Sequence, residues 1–330
     1  MDLSTKYLGL DLKHPVIASA SPLSADLDGV LRLADAGAAA IVMASIYEEQ
    51  ITEEEMREAF LLEQGAEAQP EATGYFPPDL QGDVLEGRLT LLRRAAERAG
   101  VPVIASLNGC SEAGWVKFAA KLEQAGAAAI ELNLYRIPAD LEESGAALED
   151  SYARILKSVK AVVNIPVSVK VMPFFSAPGN MLLKLVRAGA DGLVLFNRFY
   201  EPGIDPASLR VMETLHLSTS YEMRLPLMWT GLASSRLQTS IAASTGVWNG
   251  TDVAKYLLTG ADAVMTASAL LRHGPDHIGK LLEGLRHWMT QRGFAKISDF
   301  HGKLAVKDEA GDAEAFLRAQ YRTILTSYFP

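Results

Sequence analysis

The 330 residues carry 31 basic and 40 acidic side chains, a formal charge of −9, six histidines and a single cysteine. Such a chain offers no basic stripe to a nucleic acid and no polybasic anchor to a membrane, so neither polymer is expected as a partner. The lone Cys110 excludes an intrachain disulfide and any zinc or iron–sulfur site built from this chain's cysteines, no metal site is expected, and a reducing, cytoplasmic setting fits.

The N-terminal stretch MDLSTKYLGLDLKHP has no basic start followed by an apolar run, and no uninterrupted apolar stretch reaches membrane-spanning length, so neither a targeting segment nor a membrane span is expected. The first strand is predicted over 16–20 (VIASA), followed by a helical pattern that ends at Gly37. There a short phrase begins: Gly-Ala, then Ala or Asp, then a small residue, then an apolar run. It occurs as GAAAIVM at Gly37, GAAAIEL at Gly126, GADGLVL at Gly189 and GADAVMT at Gly260. The Gly supplies a left-handed helix C-cap, and the run that follows is too short for a second helix but suits a strand buried on both faces. Further runs of the same kind at 103–107, 167–171 and 241–244 bring the predicted strands to eight, each followed by a helical pattern. Eight such units predict an α/β chain folded as a (β/α)₈ barrel, with one domain over residues 1–330.

Two insertions and a tail interrupt the regular alternation. Residues 47–87 open with an acidic helix-like piece and continue through GYFPPDLQGD, whose Tyr75-Phe76-Pro77-Pro78 suggests a lid over the barrel mouth. Residues 198–222 form the second insertion. The tail, residues 303–330, contains a helical pattern at 313–328 that could pack on the barrel or on a neighbouring subunit.

In such a barrel the chemistry sits just past the C-terminal ends of the strands. Those positions hold Ser19 and Ser21, Ser45, Asn108, Asn133, Lys170, Asn197, Thr245 and Ser268. The seventh and eighth units, with Thr245-Gly246 and Ser268 before helix starts, have the makings of a phosphate site, although two ordinary capped helices would read the same way. Lys170 ends its strand between apolar neighbours, so its ammonium needs an acceptor. A Schiff-base nucleophile, a phosphate clamp and a cation facing the electron-rich edge of a flavin all remain open for it, as does a purely structural role. Glu131 and Asn133 share one side-chain parity and are predicted to point inward, where Glu131 could pair with Lys170 from the next strand. The Asn133 amide suits an edge of alternating carbonyl and N–H groups.

From HPVIASA at His14, through ELNL at Glu131, the Lys of strand five, GIDP at Gly203 and the seven–eight phosphate region, the chain resembles the dihydroorotate dehydrogenases, FMN-dependent barrels of pyrimidine synthesis. The segment GFAKISDFHGKL at Gly293 looks like the C-terminal part of the soluble, dimeric branch of that family. The resemblance implies an FMN site lined by Ser19, Ala20, Asn133, Lys170, Asn197, Thr245, Gly246 and Ser268. Lys170 would lie near the pyrimidine end of the flavin, and Gly246 and Ser268 at its phosphate. Ser45 joins the candidate cofactor residues from its strand end, and Asn108, Asn133, Arg136 and Asn197 form the candidate substrate set.

The departures from the family pattern concern the substrate side. Where the family has a Cys or Ser base followed by Pro-Asn, this chain has Tyr135-Arg136-Ile137-Pro138; where it has a Lys after strand two, Ala44 precedes Ser45. GYFPPDLQGD replaces an Asn-rich substrate loop, and Leu217-Ser218-Thr219-Ser220 stands near the place of a Gly-rich turn. Removing a proton from one carbon while hydride leaves its neighbour needs a base, which Arg136 cannot be. Tyr135 could serve beside a cation, or Arg136 could grip a substrate carboxylate in a different hydride transfer. Tyr135, Arg136 and Lys170 are therefore the candidate catalytic residues. The expectation is an FMN-dependent oxidoreductase, a homodimer, acting on a small dihydroorotate-like molecule and passing electrons to a soluble acceptor, to oxygen or to a partner protein. A phosphate-binding lyase or aldolase using Lys170 as Schiff base, and a non-catalytic flavin-binding relative, are the alternatives.

Overall fold

The computed structural model describes residues 1–51, 53, 84–109, 112–199, 201–212, 214–306 and 325–327. The lid expected within 47–87 and the helical pattern at 313–328 lie almost wholly outside the described residues, as does Cys110.

The chain opens with a hairpin of β1 (Thr5–Tyr7) and β2 (Leu10–Leu12), then β3 (Val16–Ala18), α1 (Leu27–Asp35), β4 (Ile41–Val42) and β5 (Ile46–Tyr47). It continues through α2 (Val84–Arg98), β6 (Val103–Asn108), α3 (Glu112–Gln124), β7 (Ala129–Leu134), α4 (Gly145–Lys160), β8 (Val167–Val171), α5 (Pro178–Arg187) and β9 (Gly192–Leu195). After a second hairpin, β10 (Gly203–Asp205) and β11 (Arg210–Met212), come α6 (Arg224–Ala233), β12 (Ser240–Ala243), α7 (Gly250–Leu258), β13 (Ala263–Thr266), α8 (Ser268–His273) and α9 (His277–Arg292).

The parallel strands run in the order β4-β3-β13-β12-β9-β8-β7-β6-β5, and the pairing of β4 with β6 closes the barrel. Its second strand is broken into β4 and β5, both of which pair with β6, at Ile41↔Val103 and at Ile46↔Leu107. The four glycines of the repeated phrase end their helices with φ of 93° at Gly37, 91° at Gly126, 105° at Gly189 and 92° at Gly260, the left-handed region a side chain would resist.

Strand alternation sorts the core into two layers. Val103, Ile130, Leu132, Val167, Val169 and their equivalents face the helices. Ile17, Val42, Ile104, Ala129, Val194, Ala242 and Met265 face the barrel axis, where Tyr7, Leu8 and Leu12 of the first hairpin join them. The hairpin therefore plugs the barrel interior. Inward parity carries Glu131 and Asn133 on β7, and Ser168 and Lys170 on β8, onto the axis side.

Buried His14 pins the entry to β3. Its Nε2–H donates to the Gly37 carbonyl at 2.7 Å and its Nδ1 accepts from the Val16 N–H at 3.2 Å, which fixes the neutral ring, and burial pushes its pKa down to about 4. The second insertion is closed at its ends by Arg198 Nε to Glu222 Oε1 at 3.1 Å. Glu222 is in turn held by the N–H and hydroxyl of Thr219. The first residues of the tail lie on the barrel wall, with Leu304 N–H donating to Leu258 O at 2.8 Å and Val306 N–H to Gly231 O at 2.8 Å. Among the described residues no helix is long and apolar enough to cross a membrane.

Candidate active site

A cavity of about 260 Å³ opens at the C-terminal ends of the barrel strands. Its floor is set by register. Asn133 on β7 pairs with Lys170 on β8, and Glu131 with Ser168, so Glu131 and Lys170 sit diagonally on the inner face of neighbouring strands. Lys170 Nζ lies 3.6 Å from Glu131 Oε1 and 3.5 Å from Ser19 Oγ. Glu131 is completely buried, and neither carboxylate oxygen has a hydrogen-bond partner among the described residues. Lys170 is thus its counter-charge, and the pair behaves as a unit: removing either member would strand the other in low dielectric.

Beside this floor, Asn197 follows β9 and donates from Nδ2 to Asn133 Oδ1 at 2.7 Å. Asn108, at the end of β6, lines the same side. Ser19 and Ala20 from the end of β3 complete the wall next to Lys170. Ser45 lines the cavity from between β4 and β5, with its hydroxyl 2.8 Å from that of Ser106.

The opposite end is built by the loops after β12 and β13. Thr245 and Gly246 both take positive φ, 80° and 75°. A Cβ on Gly246 would stand 2.8 Å from the Thr219 carbonyl oxygen, so backbone closeness as well as conformation selects glycine there. The Tyr256 hydroxyl on α7 is within hydrogen-bond distance of the carbonyls of Ser244 (2.9 Å) and Thr245 (2.7 Å), and Thr266 Oγ1 donates to Val247 O at 3.2 Å. These contacts occupy carbonyl oxygens that would repel an anion. Burial raises the Tyr256 phenol, as does the Asp252 charge. Gly246 N–H donates to Ser218 Oγ at 3.3 Å, Ser218 N–H to Ser268 Oγ at 3.1 Å, and the two serine hydroxyls are 2.9 Å apart. Asp252, buried at the start of α7, holds the loop from behind by accepting from Trp248 N–H at 3.1 Å and Ser220 Oγ at 3.0 Å.

At the mouth, Tyr135 lines the cavity and stacks on Phe199, with ring centroids 6.5 Å apart. Arg136 is not among the lining residues: its guanidinium pairs with Glu143 at 2.9 Å, and its side chain is more than half exposed. Tyr47, Arg198 and Ser218 also line the cavity although strand-end reading did not single them out as site residues. They come from a strand continuation and an insertion whose paths the sequence pattern does not specify.

The donor set suits a flavin mononucleotide. None of the described lining residues is acidic; one end offers an ammonium and paired amides, as the carbonyl and N–H edge of an isoalloxazine requires, and the other a glycine turn with converging hydroxyl and backbone donors, as a phosphate requires. Ser19, Ala20, Asn133, Lys170 and Asn197 would hold the ring end, and Thr245, Gly246 and Ser268, with Ser218, the phosphate end.

A protein-family model described as dihydroorotate dehydrogenase matches residues 2–289. A protein of Aeropyrum pernix named for dihydroorotate dehydrogenase A (fumarate) is 29% identical over 222 residues, covering 64% of this chain and 70% of its own length. The dihydroorotate dehydrogenase B (NAD(+)), catalytic subunit, of Thermoplasma volcanium is 27% identical over 316 residues, or 93% of this chain and 99% of that protein. Its namesake in Thermoplasma acidophilum is 26% identical over 311 residues, 91% and 98% of the two chains.

Proposed function

This chain belongs to the dihydroorotate dehydrogenase family, and from that premise we propose that it is an FMN-dependent oxidoreductase that removes two hydrogens from a CH–CH unit of a dihydroorotate-like ring. The observation that carries the reading is the single cavity with a buried Lys170–Glu131 pair and an amide corner at one end and the Gly246–Ser218–Ser268 donors at the other.

When bound, FMN supplies a two-electron acceptor that takes the hydride from one substrate carbon. Lys170 would hold the ring end of the bound group, and its positive charge would favour the negative charge that a two-electron acceptor gains there. Glu131 holds that ammonium in position, and Ser19 offers it a hydroxyl acceptor. The Asn133–Asn197 pair fixes which way each amide faces, so its remaining donors and acceptor read ring carbonyl and N–H groups. Tyr135, whose ring lines the mouth, is the residue we assign to the departing proton, which its phenolate would accept to become the phenol; Arg136, turned to Glu143, is left out of the reaction.

The family's B-type relatives are named as catalytic subunits, which supports an electron-accepting partner protein, and we propose that this chain passes its electrons to one while assembling as a homodimer. The test is the visible spectrum of protein supplied with FMN, followed by anaerobic addition of dihydropyrimidines. Flavin absorbance that bleaches in the wild type, and fails to bleach in a Lys170→Ala/Glu131→Gln variant that still binds FMN, is expected. Unimpaired bleaching in that variant would contradict the role of Lys170.

A further inference from the structure

Among the described residues, Lys170 on the cavity floor and Arg198 and Arg136 near its mouth are each already matched. Lys170 faces Glu131 at 3.6 Å, Arg198 faces Glu222 at 3.1 Å, and Arg136 faces Glu143 at 2.9 Å. The Arg198 pair is held from both sides, because the second Glu222 oxygen accepts from the Thr219 N–H and hydroxyl while Arg198 and Glu222 close the two ends of one insertion. Burial pushes the Glu222 carboxyl up, but the Thr219 N–H and the Arg198 guanidinium outweigh it, and the group lies below its ordinary 4.5. It is ionised at neutral pH. Lys170 and Arg198 are the only cations among the described residues that line the cavity. A ligand carboxylate would find no unmatched cation among the described lining residues, and taking one from the carboxylate that holds it would leave that carboxylate unmatched.

The same mouth is rich in aromatic surface. Tyr135 stacks on Phe199 with an interplanar angle of 28°, and Phe199 meets Phe174 edge-on at 5.1 Å. Phe174 is largely exposed, so the series runs from solvent to the Tyr135 ring on the cavity wall. A flat ring entering beside Tyr135 meets a preformed apolar face, with Asn108 on the same cavity wall able to hydrogen-bond its rim.

Building on the flavin reading above, we infer that the substrate is an uncharged, near-planar dihydro nitrogen heterocycle without a carboxylate, which stacks against Tyr135 as does its flat oxidised form. An anionic group is disfavoured by the matched cations among the described residues, and flatness is favoured by the aromatic series. Recognition rests on ring stacking and amide hydrogen bonds.

Calorimetric titration of the FMN-supplied protein with uracil and with orotate, which share a ring and differ by one carboxylate, tests this directly. The visible spectrum of the same sample reports bound flavin. Uracil is expected to bind at least about tenfold more tightly than orotate. Tyr135→Phe is expected to keep that affinity and Tyr135→Ala to lose about tenfold, as the removal of a stacking face does. Orotate binding as tightly as uracil, or no heat with either ring, overturns the inference whatever the flavin content. A sample that stays colourless defeats the flavin reading instead, and the ring preference is still read from the heats. Glu222→Gln, which removes the carboxylate charge facing Arg198 at 3.1 Å, is expected to raise orotate affinity about tenfold and leave uracil where it was; unchanged orotate affinity in a folded variant also overturns the inference.

Discussion

At the anion end of the cavity the polar groups belong to the backbone and to short hydroxyls. Gly246, Ser218 and Ser268 bond to one another, while Tyr256 and Asp252 brace the loop from the helix behind. At the mouth the chain instead presents long side chains, Tyr135 and Arg198, with each cation answered by a carboxylate. The first kind of surface is rigid and fitted to one group; the second is set by a handful of side chains and can change without disturbing the barrel. Under the proposed function, that difference would let a chain about 27% identical to one of its named relatives keep residues suited to FMN while its substrate contacts vary.

The floor between the two ends gives the largest expected effect. Lys170→Ala leaves fully buried Glu131 without a counter-charge and should cost about 3–5 kcal/mol of stability in denaturant unfolding. Adding Glu131→Gln should recover most of it. A Lys170→Ala protein as stable as the wild type would mean that the pair is not a unit. Next is Gly246→Ala, which combines a φ of 75° with a Cβ placed 2.8 Å from the Thr219 oxygen. About 1–3 kcal/mol and at least a tenfold loss of FMN affinity are expected, measured by flavin fluorescence quenching. An alanine tolerated without loss would remove the close-packed turn from the account.

Mouth substitutions should be milder. The folded Glu222 carboxyl is depressed below 4.5, so its contribution is complete above that value and is lost as pH falls through the folded one. Uracil-over-orotate preference should consequently stay flat across the neutral range and weaken only in acid. A preference that vanished near neutrality would point to another titrating group. Arg136→Ala should be the smallest in function, with FMN affinity and reduction rate unchanged, because its guanidinium is more than half exposed and lies outside the cavity; Glu143, only 16% exposed, loses its counter-charge, at a cost of about 1–2 kcal/mol in denaturant unfolding.

Much of this was legible in the chain. The Gly-Ala phrase marked four helix-to-strand handovers because a left-handed C-cap followed by a short apolar run has few other realisations, and all four glycines take that conformation. Strand ends pointed to Ser19, Ser21, Ser45, Asn108, Asn133, Lys170, Asn197, Thr245 and Ser268, and the barrel gathers all of these but Ser21 around one cavity since closure turns sequence order into a ring. The plugging hairpin was not legible: its strands of three residues are shorter than any periodicity can register. Nor was Ser218, which reaches Ser268 across 50 positions through an insertion whose path depends on the Arg198–Glu222 closure. Arg136 looked like a site residue from its adjacency to Tyr135. A backbone turn, with Tyr135 N–H on the Asn133 carbonyl at 3.0 Å, follows the strand there, and Glu143 takes the guanidinium.

The most direct test of the account is a comparison of FMN with riboflavin, titrated into flavin-stripped protein and followed by fluorescence quenching. If Gly246, Ser218 and Ser268 receive a phosphate, FMN should bind about 100-fold more tightly, as a few charge-assisted hydrogen bonds provide, and Gly246→Ala should erase most of that gap. Equal affinity for the two, or no binding of either, would contradict the assignment of this cavity to FMN.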